Sequence, residues 1–431
     1  MGKRETAHLE GKSLEIKMEL LRKNCLLRDF EPARTLGVVA VSMGFLVILL
    51  GKITPDERLY ISEIPLNTVF VLIVGLYCFA LSLPKELILL LCIWSIPLHI
   101  ILITTLWSGD VESGMYKYVN LMASTGIAFV LFFDSIQRFG IEYVNRVMGA
   151  VLAVLLFVAV LYKIKYGFFS RSVSFFLSGP IVFGRLMGIA TIVFLLNYKG
   201  IAKYLGSIIF IMAVAWTQSR APVVFILGVF FLLIVFEFSN KERMWLFILF
   251  FSVIAGILIL VPFDTIARFF GRFAALYELA TSVTEHTSSA PEPPGGGEDV
   301  SAAERLAFYM YSAQVIAFSP LGVGLGGWAT ALPNDFRLNV WYPHNFFFEI
   351  FSEGGLLIGS IASLPFVLFL FSREKSIFYI GLFLFLAQQT SGSLLDARYL
   401  LFFSLLSVAT PYFRSVSKDS RTSKNVTKGN V

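Results

Sequence analysis

The stretch Trp341-Tyr342-Pro343-His344-Asn345-Phe346-Phe347-Phe348-Glu349, running on to Ser352-Glu353-Gly354-Gly355, sets an imidazole, a side-chain amide and two carboxylates where a long polar segment meets an apolar run. An imidazole with its ordinary pKa near 6.5 suits a general base at neutral pH. Pro343 ends the polar segment and lets a helix begin. With a helix starting at His344, Phe347, Phe348 and Phe351 share its face, while Asn345, Glu349 and Glu353 gather on another. The competing role for His344 is to anchor a helix end at an interface. The other histidines are placed differently: His8 in the polar amino-terminal segment, His99 in an apolar run, His286 near a Pro- and Gly-rich stretch.

Arginines form the second set of candidates. Arg185 follows Gly179-Pro180-Ile181-Val182-Phe183-Gly184 and lies a few residues inside an apolar run, where a charge is costly and therefore a functional hypothesis. Snorkelling to headgroups is its alternative. Arg220 stands in the tight turn Gln218-Ser219-Arg220-Ala221-Pro222. Arg305 follows the capping pattern Ser301-Ala302-Ala303-Glu304, which predicts a helix from Ala302 to about Ala317; a surface pair with Glu304 is the bland reading. Arg268 and Arg272 share one face of an amphipathic segment, Ile266 to Leu279, which would also suit lipid phosphate. Arg171 accompanies Lys163 and Lys165 in a further polar segment. A guanidinium fork grips phosphate oxygens bidentately, so several arginines on one surface indicate a phosphate or pyrophosphate ligand. Arg185, Arg171, Arg272 and Asn345 are the candidates for binding it.

These residues must be positioned by a membrane scaffold. Of 431 residues, 57% are hydrophobic and 15% charged. Apolar runs fall near 36–51, 64–83, 86–105, 118–133, 147–162, 181–197, 204–217, 222–236, 245–262, 354–371, 376–391 and 398–412. Hydrocarbon demands that each span satisfy its own backbone, so the expected fold is all-α and polytopic, with about 12 transmembrane helices. The organisation reads as a basic amphipathic segment (1–35), helices 1–9 (36–262), a long polar loop between helices 9 and 10 (263–345), helices 10–12 (346–412) and a basic tail (413–431). Lys and Arg fall nearly twice as often on the segments this arrangement puts inside, so both termini are expected in the cytoplasm. The polar loop then lies outside, with short helices and a mobile tip around 283–300. Its turn Leu321-Gly322-Val323-Gly324-Leu325-Gly326-Gly327-Trp328 would let backbone approach a neighbour or ligand closely. The net charge of +6 reports topology, not nucleic acid. Cys25, Cys78 and Cys92 are not spaced for a disulfide framework or a metal. No phosphate-loop, His-Glu-x-x-His, Gly-x-Ser-x-Gly or Asp-x-Asp pattern occurs, so neither metal nor cofactor is expected.

At this point the pattern resembles the O-antigen ligase and polymerase superfamily of bacterial inner membranes. The residues that carry the resemblance are Thr217-Gln218-Ser219-Arg220, then Glu304-Arg305, then Phe318-Ser319-Pro320-Leu321-Gly322-Val323-Gly324-Leu325-Gly326, and last His344-Asn345 with Glu353-Gly354-Gly355-Leu356-Leu357-Ile358-Gly359. Their order and sidedness match over roughly 179–360. Ala221-Pro222 depart from the glycine usual after the arginine. The resemblance implies a GT-C-like glycosyltransferase that takes a glycan from an undecaprenyl-pyrophosphate carrier at the periplasmic face, surrounded by membrane lipids. It implies that His344, Arg220 and Arg305 are catalytic. The acceptor would be lipid A–core in a ligase, which is the reading preferred here, or another carrier-linked glycan in a polymerase. A lipid-linked oligosaccharide transporter is the reading from another class.

Overall fold

The computed structural model describes residues 39–44, 60–61, 64–65, 85–168, 173, 175, 179–260, 300–332, 342–390 and 392–410. The fold is helical: α1 (Lys85–Ile103), α2 (Val111–Phe139), α3 (Ile141–Tyr166), α4 (Pro180–Asn197), α5 (Gly200–Trp216), α6 (Arg220–Glu237), α7 (Asn240–Leu260), α8 (Val300–Phe318), α9 (Trp328–Ala331), α10 (Phe346–Val367), α11 (Lys375–Gln388) and α12 (Arg398–Thr410). The described residues also include a two-residue antiparallel ladder, Tyr60–Ile61 with Ile64–Pro65. Among the described residues, six helical stretches are long and apolar enough to cross a membrane: Ile88–Trp107, Val111–Phe139, Ile141–Tyr166, Pro180–Asn197, Arg220–Glu237 and Phe346–Phe371. Four shorter apolar helices join them.

Helix α4 is the hub. Gly179 and Pro180 start it, with proline in the first turn where its missing N–H costs nothing. It packs against α3, α5, α6 and α11 and is buried on nearly every side. Gly184 lies so close to the Thr217–Pro222 turn that an added Cβ would meet the Pro222 ring and the Thr217 hydroxyl. The departure noted at Ala221-Pro222 is thus a packing surface for α4.

Helix α10 is broken at Gly355, whose φ of 69° and ψ of −179° suit only glycine. The break frees helical carbonyls, and the glycine turn occupies them. Val323 N–H donates to Ser352 O and Gly324 N–H to Glu353 O, both at 2.9 Å, while Leu356 N–H donates to Pro320 O at 3.3 Å. Gly322, Gly324 and Gly326 all have positive φ and leave no room for a Cβ beside α10 and the 104–114 segment. The close approach expected of this turn is therefore to protein backbone.

The apolar runs from 86–105 onward each fall on a helix, apart from their ends. Those at 36–51 and 64–83, the amphipathic 266–279 stretch and the 283–300 tip lie wholly or mostly outside the described residues. Two boundaries differ. Helix α2 begins at Val111, capped by the Asp110 carboxylate on Ser113 N–H, which puts Lys117 inside a helix. Helix α10 begins at Phe346, well ahead of the apolar run.

Candidate functional site

Four polar features converge at one end of α4, α6, α8 and α10. The first is the α5–α6 turn. Thr217 Oγ1 donates back to Val214 O and accepts from Ser219 N–H, Gln218 takes φ 53°, and Ser219 is extended. Arg220 is thereby the first residue of α6. It is half-buried, and its guanidinium has no partner among the described residues. A cation at a helix N-terminus adds to the positive end of the helix dipole, and together they favour an anion.

Arg185 projects from the second turn of α4 and is 1% exposed. Its Nη1 lies 3.6 Å from Asp396 Oδ2. Asp396 belongs to the short connection from α11 to α12, which is pinned from several sides. Gln388 Nε2 donates to Asp396 O, Asp396 N–H donates to Ser393 Oγ, and Leu394 N–H donates to Glu349 Oε2 at 2.7 Å. Arg305 comes from α8, which runs Val300–Phe318 and so places Ser301 inside the helix instead of at its cap. Its Nη1 donates to Thr390 O at 3.3 Å, tying α8 to the start of the same connection.

His344 stands just before α10. Its φ of 61° is left-handed, so it is not helical as the sequence suggested. The helix starts two residues later because Asn345 is the cap, its Oδ1 accepting from Phe347 and Phe348 N–H at 2.9 and 3.1 Å. Asn345 Nδ2 donates to Gln389 O at 2.8 Å, so this amide joins α10 to the α11–α12 connection and does not share a face with Glu349 and Glu353. The His344 ring lies between Tyr342, 4.7 Å away and edge-on, and Phe308 of α8 at 6.3 Å. Burial in this aromatic cage and, secondly, the Arg305 charge lower its pKa from 6.5 to about 4, against an opposing pull from Asp396. The ordinary value expected from sequence does not hold; the ring is neutral at pH 7. Tyr342 is pushed up to about 12 by burial, then by Asp396 and Glu349, with Arg185 and Arg305 opposing. These influences put one imidazole, one phenol, two guanidiniums and two carboxylates into a single electrostatic neighbourhood.

The structure thus gathers His344, Arg305, Arg185 and the Arg220 turn. Arg171 and Arg272 lie outside the described residues. Phe347 and Phe351 stack on one another, and Phe348 stacks on Tyr309. Sequence reasoning missed Asp396 and Lys117. The first had a signal, since an arginine buried in an apolar run needs an anion. The second, a lysine at the edge of an apolar run, carries no such signal.

A bundle of apolar helices, six of them long and apolar enough to cross a membrane among the described residues, is that of a multi-pass membrane protein. Residues 205–362 match the family model described as O-antigen ligase. This segment contains the Arg220 turn, Arg305, the glycine turn, His344 and the Glu353–Gly359 motif, and the resemblance to the O-antigen ligase and polymerase superfamily is supported there. Arg185 and Asp396 lie outside it. The match supports a ligase or polymerase type of function in O-antigen assembly, with lipid-linked glycan and acceptor as the general substrates. No curated protein matches the chain.

Proposed function

We propose that the protein is an O-antigen ligase of the bacterial inner membrane. It transfers a glycan from undecaprenyl pyrophosphate to a sugar hydroxyl of lipid A–core at the periplasmic face, without a metal and with inversion. The accompanying architecture is GT-C-like, with about 12 spans, both termini cytoplasmic and the 263–345 loop periplasmic. The observation that carries this reading is the convergence of Arg185, Arg305 and the Arg220 turn around a neutral His344, at the helix ends that the basic-residue bias puts outside.

In this reading Arg220 and Arg305 take the pyrophosphate, and Arg185, held by Asp396, extends the positive surface beneath it. They stabilise the charge that grows on the leaving oxygen as the anomeric carbon–oxygen bond breaks. The acceptor hydroxyl oxygen forms the new bond on the opposite face. Its proton passes to the free nitrogen of His344, and undecaprenyl pyrophosphate departs. A pKa near 4 makes this imidazole a weak base in the empty site. The arriving pyrophosphate brings negative charge beside it and strengthens it when proton transfer is due. Arg171, Arg272 and Asn345 are secondary: the first two as further phosphate contacts, Asn345 as the group that orients His344.

The test is reconstitution with undecaprenyl-pyrophosphate glycan, with and without lipid A–core, in chelator. Glycan on lipid A–core that disappears in His344→Ala supports the reading. A ladder of longer carrier-linked glycans without lipid A–core makes the protein a polymerase. Neither product from folded wild-type protein returns the transporter reading.

A further inference from the structure

Beneath the site lies an ion cluster that the mechanism does not use. Lys117 of α2 is 5% exposed, and Glu349 and Glu353 of α10 are 0% exposed. Lys117 Nζ lies 2.5 Å from Glu349 Oε1 and 2.6 Å from Glu353 Oε1. The two carboxylates, one helical turn apart, share a single ammonium, but they are not equivalent. Glu349 lies with Oε1 at ion-pair distance from Lys117, outside hydrogen-bond geometry, and its Oε2 accepts from the Leu394 N–H at 2.7 Å. Glu353 uses Oε1 on Lys117, and its Oε2 has no hydrogen-bond partner among the described residues. The chain of contacts therefore runs from α2 through Lys117 and Glu349 into the connection that presents Asp396, two residues on, to Arg185 and His344.

We infer that Lys117 and Glu349 are positioning residues for the transfer proposed above, acting through Asp396, and that Glu353 is not. An ammonium on Oε1 fixes the Glu349 carboxylate in the rotation that aims Oε2 at Leu394 N–H. A glutamine at 349 would have to turn its NH2 toward either the ammonium or the backbone N–H, two donors facing each other, and so would release the connection. A glutamine at 353 still offers one oxygen to Lys117 and removes a negative charge that a lone ammonium cannot balance in hydrocarbon. The inference rests on the transferase reading only for its catalytic half; the hold on residues 392–396 stands on geometry.

Two readouts keep those halves apart. In the first, Glu349→Gln lowers kcat on the order of 10²-fold with the donor KM little changed, as displacement of a reacting group does. Lys117→Met behaves alike, and Glu353→Gln keeps wild-type kcat. Glu349→Gln combined with Asp396→Asn is no slower than Asp396→Asn alone, because both act on one group. Multiplying effects, or equal losses at 349 and 353, would overturn the inference. The second readout needs no activity. In full-length protein lacking Cys25, Cys78 and Cys92, Leu394→Cys is placed in a buried position and treated with a water-soluble maleimide. Labelling at least about tenfold faster with Glu349→Gln than with Glu353→Gln is expected from local opening of the connection. Equal rates would overturn the inference even if transfer is observed. Faster labelling in a protein that makes neither glycan product would leave the hold on residues 392–396 intact and overturn both the transferase reading and the positioning role in transfer.

Discussion

The neutral state of His344 can be tested by the pH dependence of transfer. Its pKa is about 4 in the free protein. At pH 6 that leaves about 1% of the imidazole protonated, whereas an unperturbed histidine would be about three-quarters protonated. A pyrophosphate esterified at both ends has no proton to lose in this range, so the donor adds no limb of its own. The acid limb of kcat/KM, which reports the free enzyme, should therefore fall near pH 4. The limb of kcat, which reports the complex, should sit higher, since bound pyrophosphate favours the imidazolium. Removing the Arg305 cation with Arg305→Met should move the kcat/KM limb up, and Asp396→Asn should move it down, following the two opposing influences on His344. The assay is initial transfer rate between pH 4 and 8 at sub-saturating and saturating donor, after brief exposure to each pH. A kcat/KM limb near 6.5 in the wild type would refute the caged, neutral histidine. The same shift acts on folding. The unfolded chain takes up this proton near pH 6.5 and the folded chain only near 4. Between those values the unfolded state binds more protons, so the stability His344 contributes is complete above pH 6.5 and is lost as pH falls toward 4.

Three further outcomes are expected. Arg220→Lys should lose most transfer with no change in thermal midpoint, because the guanidinium has no partner among the described residues and an ammonium cannot form the same fork; retained activity would remove Arg220 from the site. Asp396→Asn should cost about 3 kcal/mol of unfolding free energy by leaving Arg185 buried without its anion, and Arg185→Met in the same chain should restore stability but not transfer, as judged by denaturation in detergent. Gly355→Ala should cost about 2–5 kcal/mol, from a backbone conformation closed to side chains together with overpacking against Pro320–Gly322; an unchanged melting temperature would mean that the break in α10 is not needed.

The division between what the sequence disclosed and what it withheld follows from range. Apolar periodicity is local, and so are Pro180 at a helix start, the Thr217–Arg220 turn and the positive-φ glycines; each could be placed on an element from its neighbours alone. Capping is local too, yet Pro343 and His344 offer a competing helix boundary two residues before the true cap, Asn345. Asp396 belongs to a different kind of information. Arg185, sunk in the most enclosed helix, requires an anion, and Asp110, Glu349, Glu353 and Asp396 all lie at suitable helix ends in the chain. Choosing among them requires knowing that α11 packs against α4 and that Lys117 already holds both glutamates. Charge accounting in hydrocarbon is therefore informative but incomplete: it states that a counter-ion exists, and only helix order states which. The lowered pKa of His344 follows the same rule, since the aromatic cage and Arg305 reach it from α8, about forty residues earlier in the chain. A histidine whose type suggests an ordinary base is converted, by neighbours its own segment does not contain, into one that waits for the anionic donor before it can take a proton.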